Sequence, residues 1–189
     1  MASVLVPLAQ GCEELEAITV VDLLRRAGIG VVTASLDAQP VRASRGSVLV
    51  ADVTLDDAVK QKYDMIVLPG GLPGADFLNE DPRILGLLKE MSETNRYTAA
   101  ICAAPKVLAS AGLLSGKSAT SFPGILDGVE GVNYSEDAVV QDGKLITSRG
   151  PGTAMDFALT LIENLVGKEK RDEVEAALQR PRNLSLIHI

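Results

Sequence analysis

The chain has 189 residues, a formal net charge of −7 at pH 7, 47% apolar residues and only 3% aromatics. That length suits one domain with a full core, and an acidic balance without clustered Lys and Arg argues against nucleic acid as the main partner. The apolar runs fall short of the ~20 residues of a membrane helix, no basic region with a long apolar core is seen near Met1, so no secretory leader is expected, and two cysteines make no disulfide framework, so a reduced cytoplasmic setting is expected.

SVLVPLA (3–9) reads as a short buried strand, broken by Gly11. A helix follows from about Glu13 to Ala27, closed by Gly28. GVVTASL (30–36) is a second strand, and VRASRGSVLVADVTLDDA (41–58) a hairpin region turning at Ser44-Arg45-Gly46. DMIVLPG (64–70) is a buried strand that ends on Gly70-Gly71. Asp81-Pro82 opens a helix running to about Thr94, with Asp as N-cap and Pro at the first helical position.

TAAIC (98–102) is the next strand, and a helix runs from about Pro105 to Gly112. A short strand is open near 119–122. DAVVQDGKLITS (137–148) has the Asp-Gly of a tight hairpin. Thr153 and Asp156 suggest a capping box for a helix over 153–166, ended by Gly167, and the last helix covers about 168–179. Strands alternating with helices predict an α/β sandwich with a mostly parallel sheet, in a single domain over 1–180. Residues 181–189 end in LSLIHI, which resembles read-through of sequencing-adapter DNA and is set aside from the fold.

In such sheets ligands bind beyond the carboxyl ends of the strands. The turns at 10–16, 69–74 and 102–105 therefore converge. The one histidine, His188, is penultimate. Any chemistry at Cys102 must do without imidazole, and neither histidines nor two thiolates suffice for a zinc site; no metal or cofactor is expected.

On a helical wheel Glu13 and Glu16 share the apolar stripe with Ala17, Val20, Leu23, Leu24 and Ala27. The helix dipole accounts for acidic residues in a first turn, Glu13 above all. Glu16 lies deeper, where a carboxylate must be paired or protonated and desolvation raises its pKa. Glu14, Asp22, Arg25 and Arg26 point elsewhere and need no special account. Leu15 and Ile18 face outward side by side, a hint of a subunit interface.

LPGGLPG (68–74) offers backbone N–H groups that could hold an oxyanion, or is a plain strand–helix turn; it lacks the Lys-Ser/Thr of a phosphate loop. AAICAAP (99–105) places Cys102 among alanines on a strand-to-helix turn. Cys102 is either a small buried hydrophobe or a nucleophile whose pKa the following helix start would lower. Gly71 and Ala103 then supply backbone donors, and Glu16 the proton transfer.

GCEELEA, LPGGLPGA, AAICAAP and SRGPGTAMDFAL, in this order and spacing, resemble the ThiJ/PfpI superfamily over about 3–178, in the branch of the parkinsonism-associated deglycase and bacterial YajL. The resemblance implies a flavodoxin-like three-layer sandwich and a homodimer. It implies that Cys102 is the reactive cysteine, Glu16 its carboxylate partner, and Gly71 and Ala103 the backbone donors. Glu13, Arg26, Arg45 and Arg149 match positions near the dimer interface and its anion pocket, with Phe122 and Pro151 beside them. The implied activities are glutathione-independent glyoxalase action on methylglyoxal, removal of early glycation adducts from proteins, and oxidation-dependent chaperone or redox-sensing behaviour. Phe122 stands where the deglycase type has histidine in T-x-H-P, which points to the YajL-like members and to low glyoxalase turnover. Ala103, where the protease-like branch has histidine, argues against peptidase and amidotransferase readings. Cys12, on the same sheet edge as Cys102, is either a small turn residue or a resolving thiol for oxidised Cys102.

Overall fold

The computed structural model describes residues 1–180; His188 and the 181–189 tail lie outside the described residues. The first half of the chain gives β1 (Ser3–Leu8), α1 (Glu14–Arg26), β2 (Gly30–Ser35), β3 (Val41–Arg42), β4 (Val48–Leu49), β5 (Val53–Thr54), α2 (Leu55–Ala58), β6 (Met65–Leu68), α3 (Gly74–Glu80) and α4 (Pro82–Glu93). The second half gives β7 (Tyr97–Ile101), α5 (Pro105–Ser110), β8 (Ser118–Ala119), β9 (Asn133–Tyr134), β10 (Val139–Asp142), β11 (Leu145–Ser148), a 3-10 turn (Pro151–Thr153), α6 (Ala154–Val166) and α7 (Lys168–Ala177).

Seven strands form the main sheet in the order β10-β11-β7-β6-β1-β2-β5. Every pairing is parallel except the β10–β11 hairpin. The sheet is mostly parallel because β1, β6 and β7 are uniformly apolar runs that can be buried on both faces. Val4, Leu5, Val6, Met65, Ile66, Val67 and Leu68 are all fully buried. One face packs on α1, α6 and α7 through Val20, Leu24, Phe157 and Leu161. The other packs on α2 to α5 through Leu55, Leu78, Leu88 and Leu108. Each such side chain, buried from water, contributes on the order of 1.5–3 kcal/mol.

Four expectations are corrected. Only 41–49 of the 41–58 region is a hairpin; Val53–Thr54 joins the main sheet beside β2 and Leu55–Ala58 turns into helix. A helix, α3, fills 74–80, where no element was expected. The strand near 119–122 is Ser118–Ala119, paired with β9 outside the main sheet. The Thr153–Asp156 capping box does not form. The Thr153 side chain gives α6 no cap; its hydroxyl accepts from Gly150 N–H and donates to Gly150 O, because Gly150-Pro151 inserts a 3-10 turn ahead of the helix.

The strand order reverses direction of growth between β1 and β6. In sheets of this kind that point leaves a crevice at the carboxyl ends. The loops after β1, β6, β7 and β11 all open on this edge.

Candidate active site

Cys102 follows directly on β7, whose Ala100 and Ile101 are registered with Leu68 of β6 and Ser148 of β11. Its own N–H donates to Ser148 O at 2.9 Å, and its carbonyl accepts from Phe122 N–H at 2.8 Å. Between these clamps Cys102 adopts φ 63°. Few side-chain-bearing residues occupy this region, and holding one there costs on the order of 1–3 kcal/mol. The backbone thus bends sharply at the end of a buried strand and leaves the thiol 9% exposed at the crevice.

Gly70 joins the first helix to this turn. Its N–H donates to Glu16 Oε2 at 2.8 Å, and its carbonyl accepts from Glu13 N–H at 2.9 Å. A Cβ on Gly70 would lie 2.7 Å from Cys102 Cβ and 2.8 Å from Glu16 Oε2. Only glycine lets the carboxyl and the cysteine meet here. Gly71, at φ +86°, is equally tight: a Cβ would lie 2.4 Å from Glu13 N.

Glu16 is fully buried, and among the described residues its Oε1 has no hydrogen-bond partner of ordinary geometry. The remaining polar group acting on this carboxyl is the Cys102 thiol. Burial pushes Glu16 up to about 7, against the lowering effect of Gly70 N–H and Cys102, with the nearby Glu13 charge adding to the rise. Burial, then the Glu16 charge, push the thiol up to about 12, outweighing the Gly71 and Ala103 N–H groups that favour the thiolate. The expected lowering of the thiol by the following helix is therefore corrected. Helix α5 begins only at Pro105, and the donors to sulfur are the Gly71 and Ala103 amides.

The two groups titrate as one pair. One negative charge is taken up near neutrality and a second only in strong alkali. The single charge can rest on sulfur only while Glu16 keeps its proton and donates it to the thiolate.

Glu13, 9% exposed, is the N-cap of α1. Its Oε2 accepts from the Ser44 hydroxyl at 2.8 Å. Glu14, set aside on the helical wheel, has a structural task. Its carboxylate accepts from Arg45 N–H at 3.0 Å and Ser47 N–H at 3.3 Å, and so grips the tip of the β3–β4 hairpin. Some desolvation works against it, but the Glu14, Arg45 and Ser47 amides hold this carboxyl down at about 2. Glu14 and Ser44 were missed because the wheel shows nothing of a hairpin 30 residues away.

The other residues lie around this centre. Phe122 is exposed, beside Gly150, and Pro151 opens the 3-10 turn. Arg149 binds the 136 loop, its Nη1 donating to Glu136 O at 3.1 Å. Arg45 sits at the hairpin tip. Arg26 is not brought to the centre: it lies in the last turn of α1, about 15 Å along the helix from Glu16, and pairs with Asp22 at 2.7 Å. Cys12 is a free, fully buried thiol, pushed up to about 12 by burial and then by the Glu14 charge. Among the described residues no cluster of His, Cys, Asp and Glu could hold a metal ion, and no helix is long and apolar enough to cross a membrane.

Comparison with known proteins agrees with this fold. Drosophila melanogaster protein dj-1beta is 47% identical over 93% of this chain and 96% of its own length. Arabidopsis thaliana protein DJ-1 homolog B is 47% identical over 88% of this chain, which spans 39% of that longer protein. A Caenorhabditis elegans relative, glutathione-independent glyoxalase DJR-1.2, is 37% identical over 92% of both chains. The crystal structure of Drosophila melanogaster DJ-1beta matches with a TM-score of 0.90 and 46% identity, covering 94% of this chain and 97% of that one. Oxidized Toxoplasma gondii DJ-1 matches with a TM-score of 0.89 and 40% identity, covering 94% and 98%. With the DJ-1/PfpI family model matching residues 2–164 as well, the chain belongs to the DJ-1/PfpI family.

Proposed function

We propose that this protein is a cysteine-dependent, glutathione-independent glyoxalase that converts methylglyoxal to lactate and releases early methylglyoxal adducts from protein thiols and amines. The observation that carries the reading is the buried Glu16 carboxyl beside Cys102, raised to about 7 so that it can hold or release a proton near neutrality. A relative named for this activity adds support.

The Glu16 carboxylate takes the Cys102 thiol proton as the sulfur adds to the aldehyde carbon. The carbonyl electron pair becomes an alkoxide, held by the Gly71 and Ala103 N–H groups, and Glu16 supplies its proton to give a hemithioacetal. The Glu16 carboxylate then removes the proton from C1, and a proton is delivered to C2. C1 is oxidised to a thioester as C2 is reduced to an alcohol, so the electrons balance within the substrate. Water cleaves the thioester, releases lactate and restores the thiol. Exposed Phe122 offers no titratable group at the crevice, consistent with slow turnover.

The same protein is proposed to act as a homodimer through the outward face of α1, where Leu15 and Ile18 are about half exposed. A second reading, a redox sensor or oxidation-dependent chaperone, uses oxidation of Cys102 to sulfenic and sulfinic acid by peroxide. It is favoured by the unpartnered Glu16 Oε1, which leaves the carboxyl free to hydrogen-bond an added sulfur oxygen. Lactate formation by wild type and Cys102→Ser, counted per chain, separates the two readings. Many lactates per chain, lost in the serine variant, support the enzyme. No lactate above the variant, with stoichiometric oxygen uptake at Cys102 from peroxide, supports the sensor.

A further inference from the structure

A cleft of about 460 Å³ opens at the same sheet edge but beyond β1 and β2. It contains none of Cys102, Glu16, Gly71 or Ala103. Leu8, Leu36, Val41, Phe77 and Pro82 make its walls apolar. Leu8 and Val41 are buried in the fold, whereas Phe77 is 41% exposed. The volume falls within the ~300–1,000 Å³ of small-molecule sites.

The charges that line the cleft are all of one sign: Asp37, Glu80 and Asp81. Asp81 is already engaged, capping α4 through Arg83 N–H at 2.9 Å and pairing with Arg83 Nε at 3.0 Å. Asp37 uses Oδ1 to accept from Gln39 N–H at 2.7 Å, which fixes the carboxylate at the rim and leaves its other oxygen for a ligand. Glu80 stands at the end of α3, one turn from Phe77. The adjoining Arg83 guanidinium is already held by Asp81, Asp56 and Leu36 O, so an apolar trough under the two remaining carboxylates complements one kind of occupant.

We propose that this cleft is a binding site for small organic cations, with an aromatic or alkyl body against Phe77 and Val41 and a protonated amine at Asp37 and Glu80. The site is independent of the glyoxalase reading. Gln10 links the two regions: its side chain lines the cleft and accepts from Arg42 N–H at 2.9 Å, one residue before the Gly11–Glu13 turn.

The test is an amide-resolved NMR titration of the full chain with phenethylammonium, phenethyl alcohol and phenylacetate, which share a body and differ in charge. The ammonium ion is expected to shift the Gln10, Leu36, Phe77 and Glu80 amides and to bind at least about threefold more tightly than the alcohol, with phenylacetate weakest. An Asp37→Asn, Glu80→Gln double variant is expected to erase the preference, and Phe77→Ala to weaken all three ligands. Equal binding of alcohol and ammonium ion, a preference that survives the double variant, or no shift of cleft amides at about 10 mM ligand would each overturn the assignment.

Discussion

Glu16 and Cys102 come from segments 86 residues apart and meet across the bare backbone of Gly70. Gly70 N–H holds one carboxylate oxygen at 2.8 Å, and the absence of a Cβ leaves room for the sulfur beside the carboxyl. Helix α1 supplies the acid, β7 the nucleophile, and β6 the glycine that brings them together.

Gly70→Ala tests that relationship by sterics alone. The added methyl would lie 2.7 Å from Cys102 Cβ and 2.8 Å from Ile101 O, so the turn after β6 must move. Overpacking of this kind costs about 1–3 kcal/mol. The variant is expected to fold with a lowered melting temperature and to lose at least about tenfold in lactate formation, since a displacement of about 1 Å can cost far more. Wild-type activity in Gly70→Ala would show that the contact does not matter.

The proton on Glu16 has a thermodynamic signature. Burial raises the carboxyl from the ordinary 4.5 to about 7, so between these values the folded chain keeps a proton that the unfolded chain has released. The stability from this group is complete below the lower value and is lost as pH rises through the upper one. The effect is at most about 3 kcal/mol. Urea unfolding at about pH 5 and about pH 8 is expected to show Glu16→Gln gaining stability relative to wild type at the higher pH. A constant difference would place the Glu16 pKa near its unfolded value.

Thiol reactivity reports the other half of the pair. Burial and then the Glu16 charge hold the Cys102 thiol up at about 12, so Glu16→Ala leaves burial acting against the Gly71 and Ala103 amides alone. Alkylation of Cys102 by iodoacetamide is expected to rise only in strong alkali in wild type and at least about one pH unit lower in Glu16→Ala. A higher midpoint in the variant would mean that a protonated Glu16 stabilises the thiolate more than its charge opposes it.

Glu14 makes a separate prediction about the hairpin. Its carboxylate accepts the Arg45 and Ser47 amides, so Glu14→Gln is expected to speed hydrogen exchange at those two amides and leave β1, β6 and β7 protected. Its carboxyl is held at about 2, below its ordinary 4.5, so this anchoring is present above about pH 4.5 and is lost as pH falls through the lower value. Unchanged exchange in the variant would show that the turn holds without it.

The strands after which the site residues come were legible because β1, β6 and β7 are apolar runs bounded by glycine or proline. The carboxyl-edge rule then brought Glu16, Gly71 and Cys102 together. The resemblance added Phe122, Arg149 and Pro151. Helix α3 was hidden because Pro73 caps it and Gly74 opens it, and the two read as loop. Gly74 is there because a Cβ would lie 2.6 Å from Cys12 N, a contact no local pattern reveals. Thr153 misled because a capping motif ignores competing partners: its hydroxyl lies 2.7 Å from Ser148 Oγ and also serves Gly150. The thiol's burial likewise depends on the crevice around it, which spacing alone does not describe.

The glyoxalase reading stands on covalent attack by Cys102. Intact-mass and peptide analysis of protein quenched during methylglyoxal turnover tests it most directly. A three-carbon adduct on Cys102 is expected in wild type, with accumulation in Glu16→Gln, where the proton steps are impaired, and none in Cys102→Ser. Undiminished lactate formation with no adduct on Cys102, or an adduct population confined to lysine and arginine side chains, would contradict it.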